Sequence, residues 1–254
     1  MAKSSIAARI YHRAVTMTLL SMRYEVEMRA LAGELLHDDE EFTEGLFACI
    51  ERNEVLKNSL TKNEGILIKT PIGEWPDYLH IQYSWHIEAV GCLLWAVMAF
   101  REMPEHLEPV EIEKVDRYFG QNCHDTSMTW IDKVLNHRYN IRHESQIKQE
   151  LKRAEILYQR CIMGSYIRDG KINVPTKTYE ELFSLEENGW PIGPGGDIRL
   201  VSSKYQREFC DMSKEEEGHI APMALVRVQA FRWVLNPDLL WDEMALDDLE
   251  KLPT

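Results

Sequence analysis

The sequence predicts a mainly α-helical fold: one domain, a helical bundle around two buried helices, with a small β or extended elaboration near residues 170–203. Three observations point there. Residues 89–100 contain neither charge nor proline, too long a run for an ordinary strand and too short for a bilayer, which needs roughly 18 or more apolar residues. A second run, Met223 to Leu235, is mostly apolar and is stopped by Asn236-Pro237. Outside residues 170–203, apolar residues recur three or four apart, the spacing of one helix face. A helix apolar on nearly every side belongs inside a domain, surrounded by others.

Residues 5–36 read as one long helix or two joined ones, with Ile6, Ile10, Ala14, Met17, Leu20, Tyr24, Met28, Leu31 and Leu35 inward and Arg9, Arg13, Arg23, Glu27 and Glu34 on the wet face. His37-Asp38-Asp39-Glu40-Glu41 suits the start of a following helix through Phe42, Leu46, Phe47 and Ile50, because acidic groups are favoured at helix N-termini. Thr61 to Gly73 reads as a polar turn, a short β-branched run and breakers, hence a brief strand or extended loop. The first buried helix then spans Asp77 to Arg101, closed by Met103-Pro104. Shorter helices follow over 110–119 and 125–138, split by Gly120-Gln121-Asn122, and a more charged one over 143–166. Residues 171–175 look extended, 179–187 form a short helix, 188–197 a loop and 198–201 a strand. Pro222 fits the first position of the second buried helix, and Trp241-Asp242-Glu243 opens an acidic tail that folds back on its Leu and Trp residues.

The 29 basic and 42 acidic residues give a net charge of −13. Such a surface repels nucleic acid phosphates and anionic lipids and favours a basic partner, so neither nucleic acid nor membrane is expected as a partner. The N-terminal stretch has no apolar core of signal-peptide length, since Arg9, His12 and Arg13 interrupt it, so a cytoplasmic protein is expected. Five scattered cysteines (Cys49, Cys92, Cys123, Cys161, Cys210) without a Cys-x-x-Cys pair argue for reduced thiols rather than disulfides or a zinc knuckle.

Ser84-Trp85-His86-Ile87-Glu88-Ala89 with Leu93-Leu94-Trp95-Ala96, together with Arg227-x-x-Ala230-x-x-Trp233-Val234-Leu235 and Trp241-Asp242-Glu243, resembles the bacterial domain-of-unknown-function family numbered 4272. The resemblance covers most of the chain and is weakest between Gly170 and Ser203. It implies a mainly helical bacterial domain and brings no catalytic residue with it.

Among polar candidates Glu88 leads, because a carboxylate on a buried helix needs a partner. Arg227 and Arg232 on the other apolar helix are its natural ones. A functional reading lines a pocket with Trp85, His86, Glu88 and Arg227, Glu88 acting as general base; a structural reading makes Glu88 and an arginine a buried ion pair. Glu34 with His37 and Glu216 with His219 have the spacing of half a di-iron site. Both sit at expected helix ends, and Cys123-His124 and His137 with His143 do not match zinc spacings, so no metal and no cofactor is expected. No nucleophile elbow, Walker loop or His-Glu-x-x-His occurs, which weighs against an enzyme. The leading expectation is a non-enzymatic acidic module that binds a basic protein, of the kind an immunity-type inhibitor of a basic toxin domain would be, with Asp38, Asp39, Glu40, Glu41 and the loop residue Trp190 as contact candidates. The alternative is a small-molecule or enzymatic pocket around Glu88. The oligomeric state stays open.

Overall fold

The computed structural model of the chain describes residues 5–119, 129–135, 139–201, 206–244, 246 and 249. It is mainly helical, with one small two-stranded sheet among the described residues. No helix among them is long and apolar enough to cross a membrane. The chain divides into two compact units, Met1–Met103 with Val110–Arg142 and Asn236–Asp242, and Pro104–Pro109 with His143–Leu235 and Glu243–Thr254. The two apolar helices expected to share one core belong one to each unit.

The first unit is organised on α1 (Ile6–Ala32) and α6 (His86–Ala96), which lie against each other. Ser5 caps α1, its hydroxyl accepting the Ala8 N–H at 3.2 Å, and Gly33 at φ 73° ends it in the left-handed conformation that glycine adopts without steric cost. The expected faces of α1 need correction. Arg13, Arg23 and Glu27, assigned to water, are buried, while Met28, Leu31 and Leu35, assigned to the core, are exposed. Charged residues stay inside here because they meet partners there: Arg23 pairs with Glu27 one turn on at 2.5 Å, and Glu27 accepts the Gly73 N–H at 2.8 Å.

The acidic block starts α2 (Asp39–Arg52) as expected, followed by α3 (Glu54–Lys57). The segment expected to be extended instead forms α4 (Lys62–Leu67). Thr61 accepts the Glu64 N–H and Glu64 accepts the Thr61 N–H, a capping box that outweighs the β preference of Ile66 and Ile68. The expected helix over Asp77 to Arg101 is two, α5 (Asp77–Tyr83) and α6. The Ser84 hydroxyl donates back to the Ile81 carbonyl at 2.8 Å, competing with the helix ladder, and Trp85 turns at φ −104°, ψ 1°. At the far end α6 stops before Met98, at φ 61°. The Arg142 guanidinium donates to the carbonyls of Trp95, Phe100 and Arg101 there, and lies 4.5 Å over the Trp95 ring. Two further helices, α7 (Ile112–Phe119) and α8 (Thr129–Leu135), follow the expected positions; the expected Gly120 to Asn122 break lies outside the described residues, as do Cys123, His124 and His137. From the end of the chain Trp241 is buried in this unit, while Leu239 and Leu240 stay exposed.

The second unit is built on α9 (Glu144–Arg168) and α11 (Lys214–Leu235), packed along each other, with Leu249 buried against Ala154 and Val228. The elaboration consists of α10 (Tyr179–Phe183) and the antiparallel strands β1 (Arg199–Val201) and β2 (Gln206–Glu208), paired Arg199 to Glu208. Pro222 does not open α11: it lies inside, eight residues after Lys214. The helix starts earlier because Ser213 and Glu216 form another capping box, the Glu216 N–H donating to the Ser213 hydroxyl and the Ser213 N–H to the Glu216 carboxylate.

Candidate functional site

The polar groups of the first unit converge on Arg13. It projects from α1 and meets Glu64 in a two-pronged bond, both contacts at 2.6 Å and both side chains almost wholly out of water. The Trp241 ring lies 4.8 Å from the guanidinium. Burial alone would raise the Glu64 carboxyl; the Arg13 charge and hydrogen bonds and the Thr61 N–H outweigh it and hold it below the usual carboxylate range. His86 stands beside this pair with its ring 4.0 Å from that of Tyr83, and its Nδ1 is buried without a hydrogen-bond partner. Burial, with the Arg13 charge adding to it against the opposing Glu64 carboxylate, lowers His86 to about 4. At neutral pH the imidazole is therefore uncharged.

Of the residues singled out in the sequence, His86 joins this cluster and Trp85 is half-buried at the α5–α6 junction. Glu88 is fully buried in α6, and its Oε1 accepts the Val110 N–H at 2.8 Å. In the second unit, Arg227 donates to the Glu105 and Glu108 carbonyls at 2.7 and 2.8 Å, and Arg232 to Glu155 at 2.8 Å. Each is placed to tie backbone or a neighbouring helix together. Trp190 is buried, its ring 5.1 Å from His106, so the loop that carries it covers core. Of the acidic block, Glu40 and Glu41 are exposed and Asp38 is half-buried, but Asp39 points inward, bound to Arg29 and to the Leu36 N–H. Glu216 is engaged at the Ser213 cap, and among the described residues no three His, Cys, Asp or Glu gather as a metal site.

The sequence reading missed the strongest polar cluster of the second unit. Arg160 on α9 is held by both Asp197 oxygens and stacked on Tyr179 at 3.8 Å and Phe209 at 4.9 Å. Burial would lower its pKa, but Asp197 outweighs this and raises it. Gly164 allows the close packing beside it: a Cβ there would stand 3.0 Å from both Glu217 oxygens and 3.2 Å from Arg160 Nη1. No periodicity marks Asp197, which follows Gly195-Gly196; in hindsight, Thr61-x-x-Glu64 was the readable signal for the other pair.

Among the described residues of the first unit, two recesses stand out. The smaller, about 130 Å³, includes Thr18, Ser21 and Ser84, whose hydroxyls all donate to carbonyls of their own helices. The larger is an open cleft of about 740 Å³ between α2, α3 and α4, walled by Phe47, Ile50, Leu60, Ile66, Ile68 and Pro71. On its rim Lys57 and Lys69 converge on Glu51 at 2.9 and 3.2 Å. Hydrogen bonds from both ammoniums lower the Glu51 carboxyl. No family model, curated protein or solved structure matches the chain.

Proposed function

We propose that the chain is a non-enzymatic, acidic protein-binding module that takes a basic protein partner, as an immunity-type inhibitor of a basic toxin domain would, and that it belongs with family 4272. The observation that supports this reading is the disposition of charge. The buried arginines Arg13, Arg23 and Arg160 face carboxylates, and Arg142 and Arg227 bind carbonyls. Among the described residues four buried arginines stand against seven buried carboxylates, so most of the net −13 lies outside the core. Glu34, Glu40, Glu41 and Glu44 form an exposed acidic stretch from the end of α1 into α2 and are the leading contact residues. Glu88 is less suited to act as a base, being held by the Val110 N–H in a dry core.

The test is affinity capture with the tagged chain at low and high salt, followed by identification of what is retained in stoichiometric amount. A basic protein held at low salt, released by salt, and lost in the Glu40→Lys, Glu41→Lys, Glu44→Lys triple variant supports the reading. Retention that ignores both salt and the triple variant, or no stoichiometric partner, overturns it.

A further inference from the structure

The cleft between α2 and α4 is an exception to the acidity of the chain. Lys57 and Lys69 share one carboxylate, Glu51, and Lys62 adds a third ammonium to the lining against Glu74. Within the lining three lysines stand against two carboxylates, a positive excess of one, with Glu54 next to Lys57 just outside it, over an apolar floor in which Ile50 and Ile68 are buried. Lys69 also lies 5.5 Å over the Phe47 ring, which forms one wall. Ile66, also in the lining, is 57% exposed, a large apolar side chain left to water. At Gly65 a Cβ would meet nothing within 4 Å, so the cleft is open beside α4.

We infer that this cleft binds an aliphatic carboxylate of medium chain length, its tail on Phe47, Ile50 and Ile66 and its carboxylate between the Lys57 and Lys69 ammoniums. The chain's own Glu51 carboxylate already occupies the position between those ammoniums and shows that they converge on an anion. All three side chains are one-third to three-fifths exposed. Exposed ion pairs of this kind are weak, so an incoming carboxylate displaces Glu51 at small cost. The volume is that of ligand sites, which run roughly 300–1,000 Å³. Both components are needed: the tail removes apolar surface from water, and the head selects an anion over a neutral chain of equal length. This site is distinct from the protein-binding reading, since it uses the opposite charge and residues other than Glu34, Glu40, Glu41 and Glu44, although Glu44 lies one turn of α2 before Phe47.

Titration calorimetry with decanoate below its micelle concentration, alongside acetate and 1-decanol, tests the inference. Decanoate is expected to bind at least about tenfold more tightly than acetate, through its buried tail, and about threefold more tightly than 1-decanol, through its exposed head group. The Lys57→Gln, Lys69→Gln double variant should weaken decanoate about threefold, to the level of decanol, and leave decanol unchanged. Glu51→Gln should tighten decanoate, because the internal competitor is gone. Gly65→Leu fills the cleft from a position with room for the side chain and should abolish binding; a thermal midpoint in each variant no more than slightly below that of wild type shows that the fold is intact. No decanoate binding to the full chain, binding equal to decanol, or affinity unmoved by the charge variants and by Gly65→Leu would each overturn the assignment.

Discussion

Arg13 in the first unit and Arg160 in the second solve the same physical problem by different routes. Each is a guanidinium out of water, gripped by one carboxylate and faced by an aromatic ring. The Arg13 carboxylate comes from α4, and Glu64 also closes the cap of that helix. The Arg160 carboxylate comes from a loop, and Asp197 also accepts its neighbour's N–H, from Ile198 at 2.8 Å. One pair is thus tied into a helix terminus, the other into a turn. A buried ion pair is poor evidence of net stabilisation, but removing one partner leaves a charge stranded in a dry core.

That contrast is most sharply broken by deleting the acids. Glu64→Ala and Asp197→Ala should each cost about 3–5 kcal/mol, and Glu64→Ala the more, because the α4 cap goes with it. Urea unfolding gives the size, and amide exchange tells which unit loosens. Equal exchange changes in both units after either substitution would mean that the pairs are not local to their units. The next effect is acid sensitivity specific to the Arg13 cluster. His86 titrates at about 4 when folded against an ordinary 6.5, so between those values the unfolded chain holds a proton that the folded one lacks. Stability is full above pH 6.5 and falls as pH drops through that window, by roughly 3 kcal/mol for this residue. The wild type should lose that much more than His86→Gln between pH 7 and 4 in urea midpoints; parallel curves would remove His86 as the cause.

Gly164→Ala comes third, at about 1–3 kcal/mol, because the added methyl is forced against Glu217 and Arg160. A thermal midpoint equal to wild type would mean that α9 and α11 adjust freely there. The smallest expected effect is Thr61→Ala, about 1 kcal/mol for the lost cap, with the Arg13–Glu64 bond kept. A loss as large as that of Glu64→Ala would show that the cap, not the ion pair, dominates.

The helical class, the long α1, α9 and α11, and the strand β1 were legible because their cues are local, namely periodicity, punctuation and breakers, whereas its partner β2 was not read and residues 171–175 form no strand. What failed was assigning faces by charge. Arg13, Arg23 and Glu27 read as a wet face because sequence does not reveal a carboxylate arriving from Glu64 or an N–H from Gly73. The α4 segment failed for a different reason: two β-branched residues drew more weight than the Thr61 and Glu64 cap beside them. Pro222 misled in the same way, since the earlier Ser213 and Glu216 cap sets the start of α11. At the candidate site, His86 was visible from its place on an apolar helix. The cleft was not, because Glu51, Lys57 and Lys69 come together only through the turns between α2, α3 and α4.

The grip of Arg142 on carbonyls in the last turn of α6 and just beyond it bears on how the first unit opens locally. Helix ends ordinarily fray because their last carbonyls have only water to hold them. Here a planar fork takes that role, and lysine, with one small ammonium, would be a poor substitute for it. The rod at the heart of the unit is thus latched at its tail, so amide exchange is expected to be faster at its front, around the Ser84–Trp85 joint, than at the Trp95 end.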